Sequence, residues 1–100
     1  MKGEEIEIGK VTDFFRKISV AAVLVHQGET LKLGDHICIR GPHTEIDQTV
    51  ESLEVDHGPV EQVGGGSEVG LLVAVPAKGE GEWPENIPRS GNTVYRIIEK

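Results

Sequence analysis

Aromatic side chains are nearly missing from this sequence: two Phe, one Tyr and one Trp in 100 residues. A core of stacked rings is excluded, and the interior must be filled by aliphatic side chains, Val above all. Cysteine is scarcer still. Cys38 stands alone, so no intramolecular disulfide can form and a reducing compartment is expected. Ten basic residues face seventeen acidic ones, a formal net charge of −7. A general nucleic-acid coat needs clustered Lys and Arg and is excluded on that balance; a small, shape-specific RNA site is not. The same acidity favours a protein kept monomeric by repulsion. Long hydrophobic runs are absent too. The longest, Val20 to Val25, falls far short of the roughly 20 residues that span a bilayer. The charged N-terminus, Met1 to Lys10, carries no apolar stretch of the signal-peptide kind. A cytoplasmic protein without membrane contact is the expectation.

Glycine, by contrast, is abundant. Thirteen Gly and five Pro mark many turns, hence many short strands. Ile6 to Phe15 begins with period-2 alternation, Ile6 and Ile8 against Glu5 and Glu7, and Gly9 suggests a bulge. Ile18 to Val25, rich in β-branched residues, reads as a strand. His26 to Thr30 is a turn. His36 to Arg40 is a strand with Ile37 and Ile39 on one face, ended by Gly41-Pro42. Gln48 to Val55 reads as a strand with a break in its alternation, stopped by Gly58-Pro59. Val60 to Val63 is a short connection. Val69 to Val75 and Thr93 to Ile98 complete the strands, with a long loop over residues 76–91 between them. No stretch shows a helical period.

This pattern predicts one all-β domain over residues 1–100, its core within about 5–98. The architecture expected is a small closed antiparallel Greek-key barrel of about six or seven strands, which leaves no open edge. A weak internal echo supports regular construction. Leu31-Lys32-Leu33-Gly34-Asp35-His36-Ile37 resembles Ile87-Pro88-Arg89-Ser90-Gly91-Asn92-Thr93-Val94, and in each Gly allows a positive φ before Asp or Asn, which steadies the turn into a strand.

Catalytic patterns are thin. His36 lies two residues from Cys38 on the same strand face, but no third group orders them as nucleophile and base. A metal cluster drawn from His26, His36, Cys38, His43 and His57 lacks a second short-spaced ligand pair. Glu51, Glu54 and Asp56 read as a solvated face. No catalytic residue, metal site or cofactor is expected.

Binding candidates are clearer. Phe14, Phe15, Arg16 and Lys17 set two rings beside two cations, which suits base stacking and phosphate contact; the plainer reading sends one Phe into an aromatic-poor core. Arg40 and His43, flanking Gly41-Pro42, extend this surface if the loops cluster. Trp83, among Pro, Gly and Glu, either caps one end of the barrel or anchors a partner.

Several of these pieces are familiar together. Leu31-Lys32-Leu33-Gly34-Asp35-His36-Ile37-Cys38-Ile39, Val50-Glu51-Ser52-Leu53, Val60 to Gly70 and Ser90-Gly91-Asn92-Thr93-Val94-Tyr95 resemble the β-barrel second domain of translation GTPases such as elongation factor Tu. Ile8-Gly9-Lys10-Val11, Phe15, Ile18 to Ala21, Leu31 to Asp35 and Thr49 to Leu53 are similar to two smaller relatives. One is a set of stand-alone elongation-factor-like barrels. The other is the barrel appended to the C-terminus of collagenase-like peptidases. The resemblance spans roughly residues 8 to 98. No phosphate loop of the G-x-x-x-x-G-K-[ST] kind occurs, so GTP is not a ligand. Leu24 and His26, where the factor holds the end of aminoacyl-tRNA, lack that chemistry.

The resemblance implies a non-catalytic, translation-associated binding module contacting tRNA, rRNA or a translation-related protein. The alternative is a protein-interaction or accessory domain acting in trans for a larger enzyme.

Overall fold

Turn-rich, β-branched sequence folds as strands throughout. In the computed structural model, which describes residues 4–74 and 86–98, no helix occurs among those residues. The strands are β1 (Glu4–Phe15), β2 (Val20–Val25), β3 (Thr30–Lys32), β4 (His36–Gly41), β5 (Thr44–Thr49), β6 (Leu53–Val55), β7 (Gly58–Val60), β8 (Gln62–Gly64), β9 (Glu68–Leu72) and β10 (Thr93–Ile98). An eight-stranded sheet runs β5-β4-β10-β1-β2-β9-β6-β7, and β3 pairs with β8 in a small second sheet. Each of these pairings is antiparallel. β1 is long because it serves two neighbours in turn. Its N-terminal part pairs with β10 and its C-terminal part with β2, with register shifts between Glu7 and Gly9 and between Val11 and Asp13. Such shifts bend a strand and turn its side chains. The bulge expected at Gly9 is therefore present.

The core is aliphatic, as the shortage of rings requires. Ile8, Leu31, Ile37, Ile39, Leu53 and Leu71 are its largest fully buried members. At about 25 cal/mol per Å² of apolar surface removed from water, burial of this kind is the main stabilising term. Thr44 and Asn92 are the polar members of the interior. Asn92 explains Gly41, because a Cβ there would run into the Asn92 amide.

The two echoing turns share one geometry. Gly34 and Gly91 have φ of 90° and 95°. Lys32 N–H donates to Asp35 Oδ2 at 3.0 Å, and Asp35 N–H returns to Lys32 O at 3.1 Å. Arg89 N–H donates to Asn92 Oδ1 at 2.8 Å, and Asn92 N–H returns to Arg89 O at 3.0 Å.

Other expectations need correction. Residues 16–19 form a turn, so β2 begins at Val20 rather than Ile18. The single strand read over Gln48 to Val55 is two. β5 ends at Thr49 as the partner of β4, and β6 starts at Leu53 as the partner of β7 and β9. Val50 turns inward between them, its N–H donating to Asp35 O and its C=O accepting from Gly34 N–H. Gly58-Pro59 does not stop the chain. It lies in the outer strand β7, where a missing Pro donor costs no ladder bond. The strand read over Val69 to Val75 is seen as Glu68–Leu72.

Strand pairing does not close either sheet on itself among the described residues: β5 and β7 are the outer strands of the larger one. Side-chain bonds take over at one end. Gln48 of β5 donates from Nε2 to Leu72 O at 2.9 Å and accepts at Oε1 from Ala74 N–H at 2.8 Å. This imitates one rung of a backbone ladder. Trp83 and most of the long loop lie outside the described residues.

Candidate interaction surface

Side chains alternate across β1, so consecutive Phe14 and Phe15 must part. Phe14 pairs with Ala21, which is buried, and packs against the core. Its N–H donates to Asp13 Oδ1 at 2.8 Å. Phe15 pairs with Val20, which pairs with Leu72, so these three side chains form one rung on the outer face. Phe15 is 49% exposed and Leu72 40%. The plainer reading of the Phe pair, one ring in the core, holds: Phe14 goes in and Phe15 stays at the surface.

The turn beyond Phe15 exposes Arg16 and Lys17, with Ile18 63% exposed. Ile18 and Ser19 N–H donate to Phe15 O and Arg16 O, each at 3.3 Å. Ser19 sits at φ 58°, a left-handed conformation that costs a non-glycine residue about 1–2 kcal/mol. Its bonds to β9's end offset this. Ser19 Oγ donates to Val73 O at 2.6 Å, and Val73 N–H donates to Ser19 O at 2.8 Å. The hairpin tip is thus clamped, and its exposed apolar groups are held in place.

Arg40 does not join this corner. It stands on β4, which β10 separates from β1. Its guanidinium forks onto Glu5, Nη1 to Oε1 at 2.9 Å and Nη2 to Oε2 at 2.7 Å, and lies 5.0 Å from the Tyr95 ring centroid. The Glu5 bond raises the Arg40 pKa further. Nη2 also reaches Cys38 Sγ at 3.5 Å. Burial pushes the Cys38 thiol above its ordinary 9.0, the nearby Arg40 charge opposing it. A thiol so held is a poor nucleophile. His36 turns to Asp47, Nε2 to Oδ1 at 2.5 Å, and His43 is exposed in the β4–β5 turn. The expected joint surface of Phe14 to Lys17 with Arg40 and His43 is therefore divided between two parts of the sheet. Trp83 falls outside the described residues.

Among the described residues, no three His, Cys, Asp or Glu side chains gather as a metal ion would require. A groove of about 280 Å³ runs between the ends of β5 and β9, lined by Gln48, Thr49, Glu51, Leu72, Val73 and Ala74. Its one ionisable lining group is Glu51.

Sequence reasoning missed Ile18, Leu72 and Ser19. Ile18 and Leu72 sit in apolar runs that read as buried strand. The polar Arg16-Lys17 ahead of Ile18-Ser19 is the one local sign that a turn comes first.

No protein-family model matches the chain. An uncharacterized protease of Methanocaldococcus jannaschii is 34% identical over 100 residues, which take in 98% of this chain and 21% of that protein. The chain thus spans about a fifth of the length of that curated relative. The crystal structure of the C-terminal domain of a Geobacillus thermoleovorans protein described as a U32 peptidase matches with a TM-score of 0.71. It is 16% identical, covering 94% of this chain and 93% of that one. The selenomethionine form of that domain gives a TM-score of 0.67 at 18% identity, covering 88% and 95%. At such identities the structural likeness establishes the fold alone.

These neighbours bear out the resemblance to the domain appended to collagenase-like peptidases. They overturn the translation reading. A protease and a peptidase domain stand where an elongation factor or RNA-binding protein was expected, and of the two readings they favour the accessory domain of a larger enzyme.

Proposed function

We propose that the chain is a non-catalytic accessory domain that works in trans beside the catalytic domain of a larger peptidase. One observation carries this. The fold covers almost the whole of a domain found at the C-terminus of a peptidase, and a protease about five times as long is the sequence relative. The high thiol pKa and the Arg40 cover over Cys38 agree with a role other than nucleophilic catalysis. The lone free cysteine suits a reducing cytoplasm. The curled large sheet is, on this reading, a small Greek-key barrel whose β5 end is joined to β9 by Gln48.

The test is addition of the purified full chain to a peptidase that co-purifies with it, read by hydrolysis of fluorescein-labelled casein. The expected result is no hydrolysis by the chain alone and altered hydrolysis by the peptidase when the chain is present. Hydrolysis by the chain alone, or a peptidase indifferent to it, overturns the proposal.

A further inference from the structure

We infer that the tip of the β1–β2 hairpin, with Leu72 of β9 beside it, seats the peptidase domain through an apolar contact rimmed by the partner's carboxylates. The inference rests on the accessory-domain reading above and assigns it a surface.

The apolar content comes first. Of the large hydrophobic side chains exposed among the described residues, Phe15, Ile18, Leu24 and Leu72 belong to the β1–β2–β9 part of the sheet. Phe15 and Leu72 share a rung through Val20, and Ile18 stands at the turn that joins the two strands. An exposed cluster of this kind marks a contact site more often than single scattered residues do. Rigidity comes second. The Ser19–Val73 bonds fix the tip before any partner arrives, which lowers the ordering cost of binding.

Strand addition to the larger sheet is obstructed. Asn86 closes part of the β5 edge, donating from Nδ2 to Glu45 O and accepting at Oδ1 from Glu45 N–H. Gln48 occupies the end of the same strand. At the opposite edge, β7 carries Pro59, which has no N–H to offer an added strand. Addition of a partner strand to the larger sheet is thus disfavoured, and the side-chain face of the hairpin is offered instead.

Charge names the occupant. The chain is acidic by seven charges, yet this tip places Arg16 and Lys17 together. A partner with an apolar centre and Asp or Glu around it complements both features. A two-fold contact between copies would bring the Arg16-Lys17 pairs of both chains to one patch, where like charges repel. The matched relative keeps about four-fifths of its length beyond the aligned region, enough for the catalytic body that the tip would meet.

The test is zero-length carbodiimide cross-linking of the full chain in native cell extract, with cross-linked peptides identified by mass spectrometry. The expected product joins Lys17 to an Asp or Glu of a peptidase polypeptide. Binding to that purified polypeptide should weaken about tenfold or more in Phe15→Ser/Ile18→Ser, whose amide NMR spectrum must match the wild type. The charge-reversed Lys17→Glu variant, which alters one exposed side chain, should weaken binding most at low salt. Cross-links to a peptidase through Lys10 or Lys32 but not Lys17 overturn this surface and leave the accessory reading standing. Absence of any peptidase overturns both. Lys17 joined to a second copy of the chain overturns the assignment in favour of self-association.

Discussion

The outer face of the large sheet consists of two unlike halves. Across β5, β4, β10 and the start of β1, charged groups meet one another. Arg40 forks onto Glu5, His36 meets Asp47, and Glu7 of β1 meets His26 beyond β2 at 2.9 Å. Across the end of β1, β2 and β9, the same face shows Phe15, Leu24 and Leu72 to solvent. Beneath both halves the inner face is alike, made of buried aliphatic side chains. Since the inner face supplies most of the stability, the outer contrast needs another cause. A half whose charges are mutually satisfied is finished by the chain itself, whereas a clamped apolar half is completed by something else.

The largest effects should show the halves as equals. Ile37 under the charged half and Leu71 under the apolar half are both fully buried. Ile37→Ala and Leu71→Ala should each lower unfolding free energy by about 2–5 kcal/mol, read from urea midpoints with an unchanged m-value. A cheap Leu71→Ala would mean that the apolar half is loosely packed, and the comparison would break there.

Next comes the clamp. Ser19→Ala loses the Oγ bond to Val73 and keeps a side chain in the left-handed region, so a loss of about 1–2 kcal/mol is expected. Ser19→Gly loses the same bond but relieves the backbone, and should cost less. Equal losses would show that the left-handed conformation contributes nothing, and that the hydrogen bond alone holds the tip.

What could be read beforehand follows the same divide between local and distant causes. The Gly34-Asp35 and Gly91-Asn92 turns were legible because a few neighbouring residues determine them. The mixed fate of Phe14 and Phe15 was legible as one in, one out, by alternation alone. Thr44–Thr49 was not legible. It has Ile46 as its one large apolar residue, and it becomes a strand because the turn after Gly41 folds it back on β4. Val50, Leu53 and Val55 looked like one strand because apolar spacing does not reveal that the chain leaves one strand pair and enters another. The exposure of Ile18 and Leu72 was equally hidden, since it depends on which neighbours stop short across three strands. The separation of Arg40 from Arg16 and Lys17 depends on β10, about 50 residues later in the chain, being inserted between β4 and β1.

A smaller effect should come from the charged half. Arg40→Ala removes a partly exposed ion pair, worth about 0.2–1 kcal/mol, measurable as a modest fall in Tm. Its sharper readout is Cys38. Without the guanidinium charge that opposes burial, the thiol should ionise at still higher pH, read from the pH dependence of its reaction with a disulfide reagent. Alkaline pH gives a second handle. Above Cys38's ordinary pKa of 9.0, the unfolded chain releases its thiol proton while the folded chain retains it. Stability therefore falls with rising pH until the raised folded value is passed. The wild type should lose stability relative to Cys38→Ala over that range, and a constant difference between them would show that Cys38 is not shielded.

The smallest effect on stability belongs to the tip, and there smallness is the informative result. Ile18 is 63% exposed in a turn, so Ile18→Ser should alter unfolding free energy by no more than about 0.5 kcal/mol. An exposed isoleucine that the fold does not need is available for a partner, and its replacement should show in binding rather than in melting. A fall of several degrees in Tm would mean that Ile18 supports the hairpin itself. The apolar half would then be finished by the chain, as the charged half is, and the contrast on which the docking surface rests would disappear.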